Sequence, residues 1–500
     1  MFKQWWRSLI FENPENHGNP DTTAFGKICF QLIAQKPLRD IIIDTNKEEL
    51  IRSLNFFALN TFGLGAIIGA GIYSLVGNAA ADFAGPAEIL SLLIAMLPAF
   101  FTALSYAEMA SMIPASGSSY TYIYTVLGEF CAWLVGWNLC LEYMGAASAV
   151  SVSWANHVGS FIELVSSASI DHRLLSAPVS WNATAQNFYL TGSWICLPAV
   201  IVILVLTAII IYDLDTSSLL ISIIVILKIV ILLIFICVCI KYIDPKNYHP
   251  FLPKSEGGNT YGIKGLLHAT TISFFAFIGF DEITTAAQEA TTEAARLLPL
   301  SILISLGIAT ILYLGVASVM LGVVNYKDLK VPNPIAEVCK VIGLKWLQVI
   351  VHLGAILGLT SVILVTLYVQ SRIFYSMSKD GLLPPVFSKI KLWKKKKTVV
   401  NNITFSSSTT TTTTIETNTT IATVEPTITI TGNIHETNKP TGSPVWASIA
   451  IGIFCAVVAG FLPIDQLADN TSIGILFAFM MVHISVICMH WTYKPQNNDE

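Results

Sequence analysis

Charge is scarce in this chain. Its 500 residues carry 28 Lys and Arg against 32 Asp and Glu, 12% in all, where a soluble domain carries about 25%. That deficit excludes a string of ordinary soluble domains. No basic domain is present either, so nucleic acid is not an expected partner. The nine cysteines show neither metal-ligand spacing nor a dense disulfide framework. They read as buried apolar residues, and no metal or cofactor is expected. No cleavable leader is expected either: the first fifty residues are mixed and charged, so the first apolar run is expected to act as an uncleaved anchor. What fills the chain instead is 54% hydrophobic residues, with mean hydropathy +0.65.

The apolar excess falls in long runs, each about the length that crosses a hydrocarbon core of roughly 30 Å. Ten spans are expected, near 54–77, 86–107, 120–148, 192–211, 217–241, 263–287, 298–322, 346–376, 445–463 and 471–491. Runs so uniformly apolar must satisfy their backbone internally, which makes them helices. Short alternating segments of the barrel type are absent.

Cations set the orientation. Lys3, Arg7, Lys27, Lys36, Arg39, Lys47 and Arg52 precede span one, and Lys389, Lys391 and Lys394 to Lys397 follow span eight. Ten spans put both groups on one side, the cytoplasmic one. The stretch 150–190 then faces outside, where Asn182-Ala-Thr184 is an N-glycosylation sequon, used or unused. Region 405–432 is nearly all Thr, Ser and Ile, a low-complexity insert expected to be disordered. Its sequons at Asn402 and Asn418 should stay unmodified. The expected organisation is a cytoplasmic segment 1–53, a core 54–391 with spans one to eight, a Thr-rich cytoplasmic loop 392–443, spans nine and ten in 444–493, and a tail 494–500.

Two spans look interrupted. Span one contains Gly63-Leu-Gly65-Ala-Ile-Ile-Gly69-Ala-Gly71, and span six contains Phe274-Phe-Ala-Phe-Ile-Gly-Phe-Asp281. First and sixth are matching positions in two five-helix halves, and paired broken helices mark a transporter site near the bilayer midplane. A helix broken there suits an amino acid. Its second half starts with free N–H groups and a positive dipole end for the carboxylate, and its first half ends with free carbonyls for the ammonium. Glycine at 69 and 71 lets a ligand approach the backbone. Close packing of small residues is the alternative reading of the same glycines.

Ionisable side chains at membrane depth are functional candidates. Asp281 follows the span-six break and Glu142 lies in Leu141-Glu-Tyr143 of span three, with interfacial placement or a structural pair as the alternative for both. Lys228 lies mid-way along span five with roughly ten apolar residues on each side, too far to reach water on a helix rising about 1.5 Å per residue. A lysine so placed can release and take up a proton, or it can serve as a structural lysine bonded to carbonyls. Thr360 and Ser361 lie within span eight and most simply bond their own helix. His157, His268, His352, His483 and His490 are scattered and read as packed or interfacial.

Several short motifs occur in a telling order: Gly65-Ala-Ile-Ile-Gly-Ala-Gly-Ile72, Ala84-Gly-Pro-Ala87, Ser105-Tyr-Ala-Glu108, Pro114-Ala-Ser-Gly-Ser-Ser-Tyr120, Gly128-Glu129, Gly136-Trp-Asn138, Phe275-Ala-Phe-Ile-Gly-Phe-Asp281, Arg372-Ile-Phe-Tyr375 and Asp380-Gly-Leu-Leu-Pro384. Through them the chain, from about Leu54 to Tyr493, resembles the cationic amino acid transporter family of the amino acid–polyamine–organocation superfamily. The resemblance implies an all-α membrane protein of LeuT-like inverted-repeat fold, with 5+5 helices, about ten transmembrane helices and broken helices one and six. It implies that Ile67, Gly69, Ala70 and Gly71 hold the substrate's carboxylate and ammonium. Phe275, Ala276 and Ile278 would close the site, with Phe275 as an aromatic gate. Asp281 matches the acid after the break, Lys228 the span-five lysine of proton-coupled members, and Glu142 an acid that would face the substrate side chain. The chain departs from the family at Thr291-Thr-Glu-Ala-Ala-Arg296-Leu-Leu-Pro299, where an Asn-Pro pair is usual, and it stops soon after span ten, where relatives continue.

The expectation is a secondary active transporter of amino acids, cationic ones (arginine, lysine, ornithine) first, working by alternating access with a proton as co-transported partner. It would sit in the plasma membrane, with vacuolar or lysosomal membrane as alternatives. An accessory subunit is neither implied nor excluded. Neutral amino acids, polyamines and a transport-dead amino acid sensor remain alternatives. An enzyme is not expected, for want of a catalytic cluster. A channel would need rings of polar residues, and none is visible.

Overall fold

The computed structural model describes residues 34–37, 54–115, 117–166, 171–182, 187–212, 215–287, 290, 294–389, 391–393, 404–409, 426–431 and 441–492. Most of the N-terminal cations, the Lys394 to Lys397 run, Asn402 and Asn418 lie outside them. Two units are present, one formed by 1–391 with 443–500 and the other by 392–442.

The first unit is a helical membrane bundle. Its helices are α1 (Phe56–Ile67), α2 (Val76–Ala79), α3 (Glu88–Met112), α4 (Ser118–Val126), α5 (Glu129–Ser166), α6 (Leu197–Tyr212), α7 (Asp215–Cys239), α8 (Gly262–Phe274), α9 (Ala294–Val323), α10 (Pro334–Val341), α11 (Lys345–Lys379), α12 (Val445–Phe461) and α13 (Ile464–Thr492). Among the described residues six helical stretches are long and apolar enough to cross a membrane, beginning with Phe56–Met112, which holds α1, α2, α3 and the turns between them; two shorter apolar helices, Leu197–Ile211 and Val445–Phe461, join them. Large apolar side chains point outward, among them Phe101, Ile311 and Ile473 at 61%, 73% and 70% exposure. A water-facing surface rarely carries so much apolar area; facing lipid it is the expected exterior. The protein is an integral, multi-pass membrane protein.

Local chemistry starts and stops these helices. Asn55 caps α1 by accepting from the Ala58 N–H at 2.9 Å, which satisfies one of the free donors of the first turn. Pro86 opens the tight turn that leads into α3, where its missing N–H costs nothing. The expected span 120–148 is corrected here. Residues 118–126 form the separate helix α4, and α5 runs on to Ser166. The reason is Gly128, whose φ of +97° turns the chain between them; such a φ suits glycine alone among common residues.

α5 lies along α11 and α13, α3 along α8 and α9, and α12 along α6. The buried core runs continuously through these contacts. An antiparallel hairpin, β1 (Val179–Asn182) with β2 (Asn187–Leu190), holds Asn182 at its tip, paired with Asn187. In the second unit β3 (Thr404–Thr409) pairs antiparallel with β4 (Pro426–Thr431).

Candidate functional site

Two helix breaks meet inside the bundle. α1 ends at Ile67; Ile68 is extended (φ −77°, ψ 92°), and the chain resumes as a wide turn over Gly71–Leu75. α8 ends at Phe274 and tightens over Phe275–Phe277; Ile278 is again extended (φ −64°, ψ 143°), Gly279 takes φ +116°, and a tight helical segment follows from Asp281 to Ala286. The two breaks touch. A Cβ at Gly71 would run into the Ala276 backbone, and one at Gly279 would lie 2.9 Å from the Ala66 carbonyl carbon. Ile67, Ala70, Phe275, Ala276 and Ile278 are all buried.

Side chains already occupy part of the α1 terminus. Lys228 of α7 donates from Nζ to the carbonyls of Gly65 (3.1 Å) and Ile68 (2.9 Å) and to Ser361 Oγ (3.2 Å). Tyr313 of α9 donates to the Ile67 carbonyl at 2.8 Å. Three of the carbonyls that a broken helix leaves free therefore have partners in this conformation. Lys228 is fully buried and sits at the span-one break. Ser361 joins it, also bonding the Gly358 carbonyl of its own helix at 2.7 Å. Thr360 turns away, bonding the Ile356 carbonyl (2.7 Å) and accepting from the Trp154 indole (2.9 Å).

A group of carboxyls lies behind the second break. Asp281, Glu282 and Glu142 are buried and within electrostatic reach of one another. The Tyr143 hydroxyl donates to Asp281 Oδ2, and Thr366 donates to Glu282 Oε1 at 3.2 Å. Asp281 Oδ1, Glu282 Oε2 and both Glu142 oxygens have no hydrogen-bond partner. Glu142 packs where α13 meets α5, so that a Cβ at Gly474 would lie 3.4 Å from its own. It joins the other acids through their shared field.

Sequence reasoning missed Glu282, which stands beside Asp281 in the same apolar stretch and carried the same signal. It also missed Glu88, buried and accepting from Ser273 across to α8; at the head of an apolar run it passes for an interfacial acid. His157 and His352, read as scattered, meet with Nδ1 to Nδ1 at 3.2 Å. They are 195 residues apart, and no spacing rule could pair them. Among the described residues no group of three or more His, Cys, Asp or Glu is arranged to hold a metal.

Comparison with known proteins decides the family, for an amino acid permease family model matches residues 54–499. The chain belongs to the amino acid permease family. The permease is 35% identical over 457 residues to the branched-chain amino acid permease BcaP of Bacillus subtilis, covering 91% of this chain and 84% of that protein. It is 33% identical over 458 residues to the methylthioribose transporter of the same organism, covering 92% and 85%. It is 31% identical over 460 residues to the vacuolar cationic amino acid transporter 4 of Arabidopsis thaliana, covering 90% of this chain and 65% of that one. The permease is thus a membrane protein of the secondary-active-transporter type.

Proposed function

We propose that the permease carries amino acids by alternating access around the paired breaks of α1 and α8, with a cationic amino acid as its leading cargo and a proton as co-substrate. In this reading ten helices form two inverted five-helix halves of the LeuT-like kind, and the protein works in the plasma membrane. One observation carries the transporter reading: two interrupted helices face each other in the buried centre, so peptide groups are offered where a membrane protein otherwise hides them. Ile67, Gly69, Ala70 and Gly71 would hold the amino and carboxyl groups, and Phe275, Ala276 and Ile278 would close over them. Lys228 grips the end of α1, so gaining or losing its proton would tighten or release that end and link proton movement to closure.

The acids favour a cationic cargo. Taking ionised carboxylates from water without partners costs several kcal/mol each. Glu142, Asp281 and Glu282 together call for positive charge, which a proton or the side chain of arginine or lysine supplies. A second reading, a branched-chain cargo, is favoured by the 35% identical relative that carries that name. A competition panel over the twenty amino acids and polyamines, in proteoliposomes holding the purified permease, separates the two. Arginine and lysine should compete best, and Glu142→Gln should cut their advantage by about tenfold, the scale of one lost charge pairing of 1–2 kcal/mol. Leucine and isoleucine outcompeting both would overturn the cationic reading, and uptake of none would overturn transport.

A further inference from the structure

We propose that His352, His157 and Tyr73 form a proton route from the membrane face where α11 begins to Lys228. The proposal rests on the coupling role given to Lys228 above. The cation distribution makes that face the outer one.

The residues follow one another in the structure, joined by one hydrogen bond and by ring and side-chain packing. His352 lies seven residues into α11, about 10 Å below its start at 1.5 Å per residue. Its Nδ1 meets that of His157 on α5 at 3.2 Å, with ring centroids 5.3 Å apart. The Tyr73 ring stands edge-on to His157 at 5.9 Å between centroids. Tyr73 and Lys228 then share one neighbour: a Cβ at Gly358 would lie 3.5 Å from Tyr73 Cε2 and 3.1 Å from Lys228 Cδ. All four side chains are buried. The wall between the outer face and the span-one break thus carries three proton-bearing groups in sequence.

Their chemistry suits transfer. Of two imidazoles joined through Nδ1, one donates and the other accepts, and moving the proton across reverses the roles; each ring can hand a proton on through its second nitrogen. His157 Nε2 and the Tyr73 hydroxyl are both buried without a hydrogen-bond partner. Such groups are costly unless they are met in another state or by a bridging water. A proton taken up from the outer side at His352 Nε2 releases the Nδ1 proton to His157; the His157 Nε2 proton then passes by bridging water to the Tyr73 oxygen, and the Tyr73 hydroxyl proton to a Lys228 amine that has first given its own proton to the inner side. Each step forms one N–H or O–H bond and breaks another, and the two rings, left as the opposite tautomers, are reset by rotation before the next proton.

Few other charges disturb it among the described side chains. α9 brings Tyr313, within electrostatic reach of Tyr73. α10 brings Glu337 and Lys340, paired with each other at 2.9 Å. Glu163 of α5 is exposed, α13 brings His483, which bonds Thr102 and Ser105 of α3, and α6 and α12 bring no Asp, Glu, Lys or Arg.

The test is run in proteoliposomes with a trapped pH dye and radiolabelled arginine and isoleucine. Substrate-driven proton entry and net uptake are measured against outer pH, beside substrate-for-substrate counterflow, which moves no net proton. In His157→Gln and His352→Gln, whose amides bond but do not relay, proton entry and net uptake should fall about tenfold or more, while counterflow stays within about twofold. Tyr73→Phe keeps the ring against His157, removes only the hydroxyl and should show the same split. It is the variant that decides if the histidine changes disturb folding. Equal loss of counterflow would make these residues structural and overturn the route, as would unchanged proton entry. A wild-type permease that moves substrate without protons would overturn the coupling role of Lys228 and the route with it; coupled wild type with indifferent variants overturns the route alone.

Discussion

Gly69 and Gly71 lie two residues apart and meet different neighbours. A Cβ at Gly69 would come 3.1 Å from Val362 Cγ2, a side-chain methyl that can turn aside. A Cβ at Gly71 would strike the Ala276 backbone, which can yield only if the two breaks part. Overpacking of this kind costs about 1–3 kcal/mol, and Gly71→Ala should fall at the upper end. The expected outcome is a larger loss of thermal stability in detergent for Gly71→Ala than for Gly69→Ala, with uptake nearly abolished in the former. Equal stabilities would show that the breaks do not press on each other.

At the scale of elements, residues 34–37 are clipped across two parts of the bundle. The Ala34 carbonyl accepts from the Glu129 N–H at 2.9 Å, and the Lys36 N–H donates to Tyr124 at 3.3 Å. Lys36 Nζ reaches Asp380 Oδ1 at 2.7 Å while Tyr120 donates to Asp380 Oδ2 at 2.8 Å. The clip joins the α4–α5 turn to the end of α11. Half-buried ion pairs with extra hydrogen bonds hold better than exposed ones. Asp380→Asn should therefore speed cleavage of the N-terminal segment in limited proteolysis several-fold, and an unchanged rate would show the clip to be idle. The sequence makes some of this scale legible and not the rest. Apolar run length revealed the membrane helices because lipid leaves few options for the backbone, and Gly-rich or acid-bearing interruptions marked α1 and α8. Lys228 stood out because a cation within an apolar run has no cheap exit to water. The α4–α5 division hung on Gly128 alone, and the histidine pair and the Lys36 clip depend on how distant helices pack, which local pattern does not encode.

For the whole molecule the open physical question is which way it sits. Charge supplies one argument, since Lys and Arg gather before α1 and after α11, and such clusters stay on the cytoplasmic side. The β1–β2 hairpin supplies a second, because an odd number of crossings on either side would separate it from both clusters, so one labelling pattern tests orientation and crossing number together. An impermeant maleimide added to sealed right-side-out vesicles should label Leu190→Cys, which is 81% exposed at the end of β2, above the background of native cysteines, and should spare Val386→Cys beyond α11. In cell-free translation with microsomes, a glycan on the chain should be lost in Asn182→Gln and kept in Asn402→Gln and Asn418→Gln. Labelling of position 386 from outside would invert the protein, and the proton route through His352 would then open to the cytoplasm. Labelling of both positions from outside would mean an even number of crossings between β2 and the end of α11 and would overturn the ten-span topology.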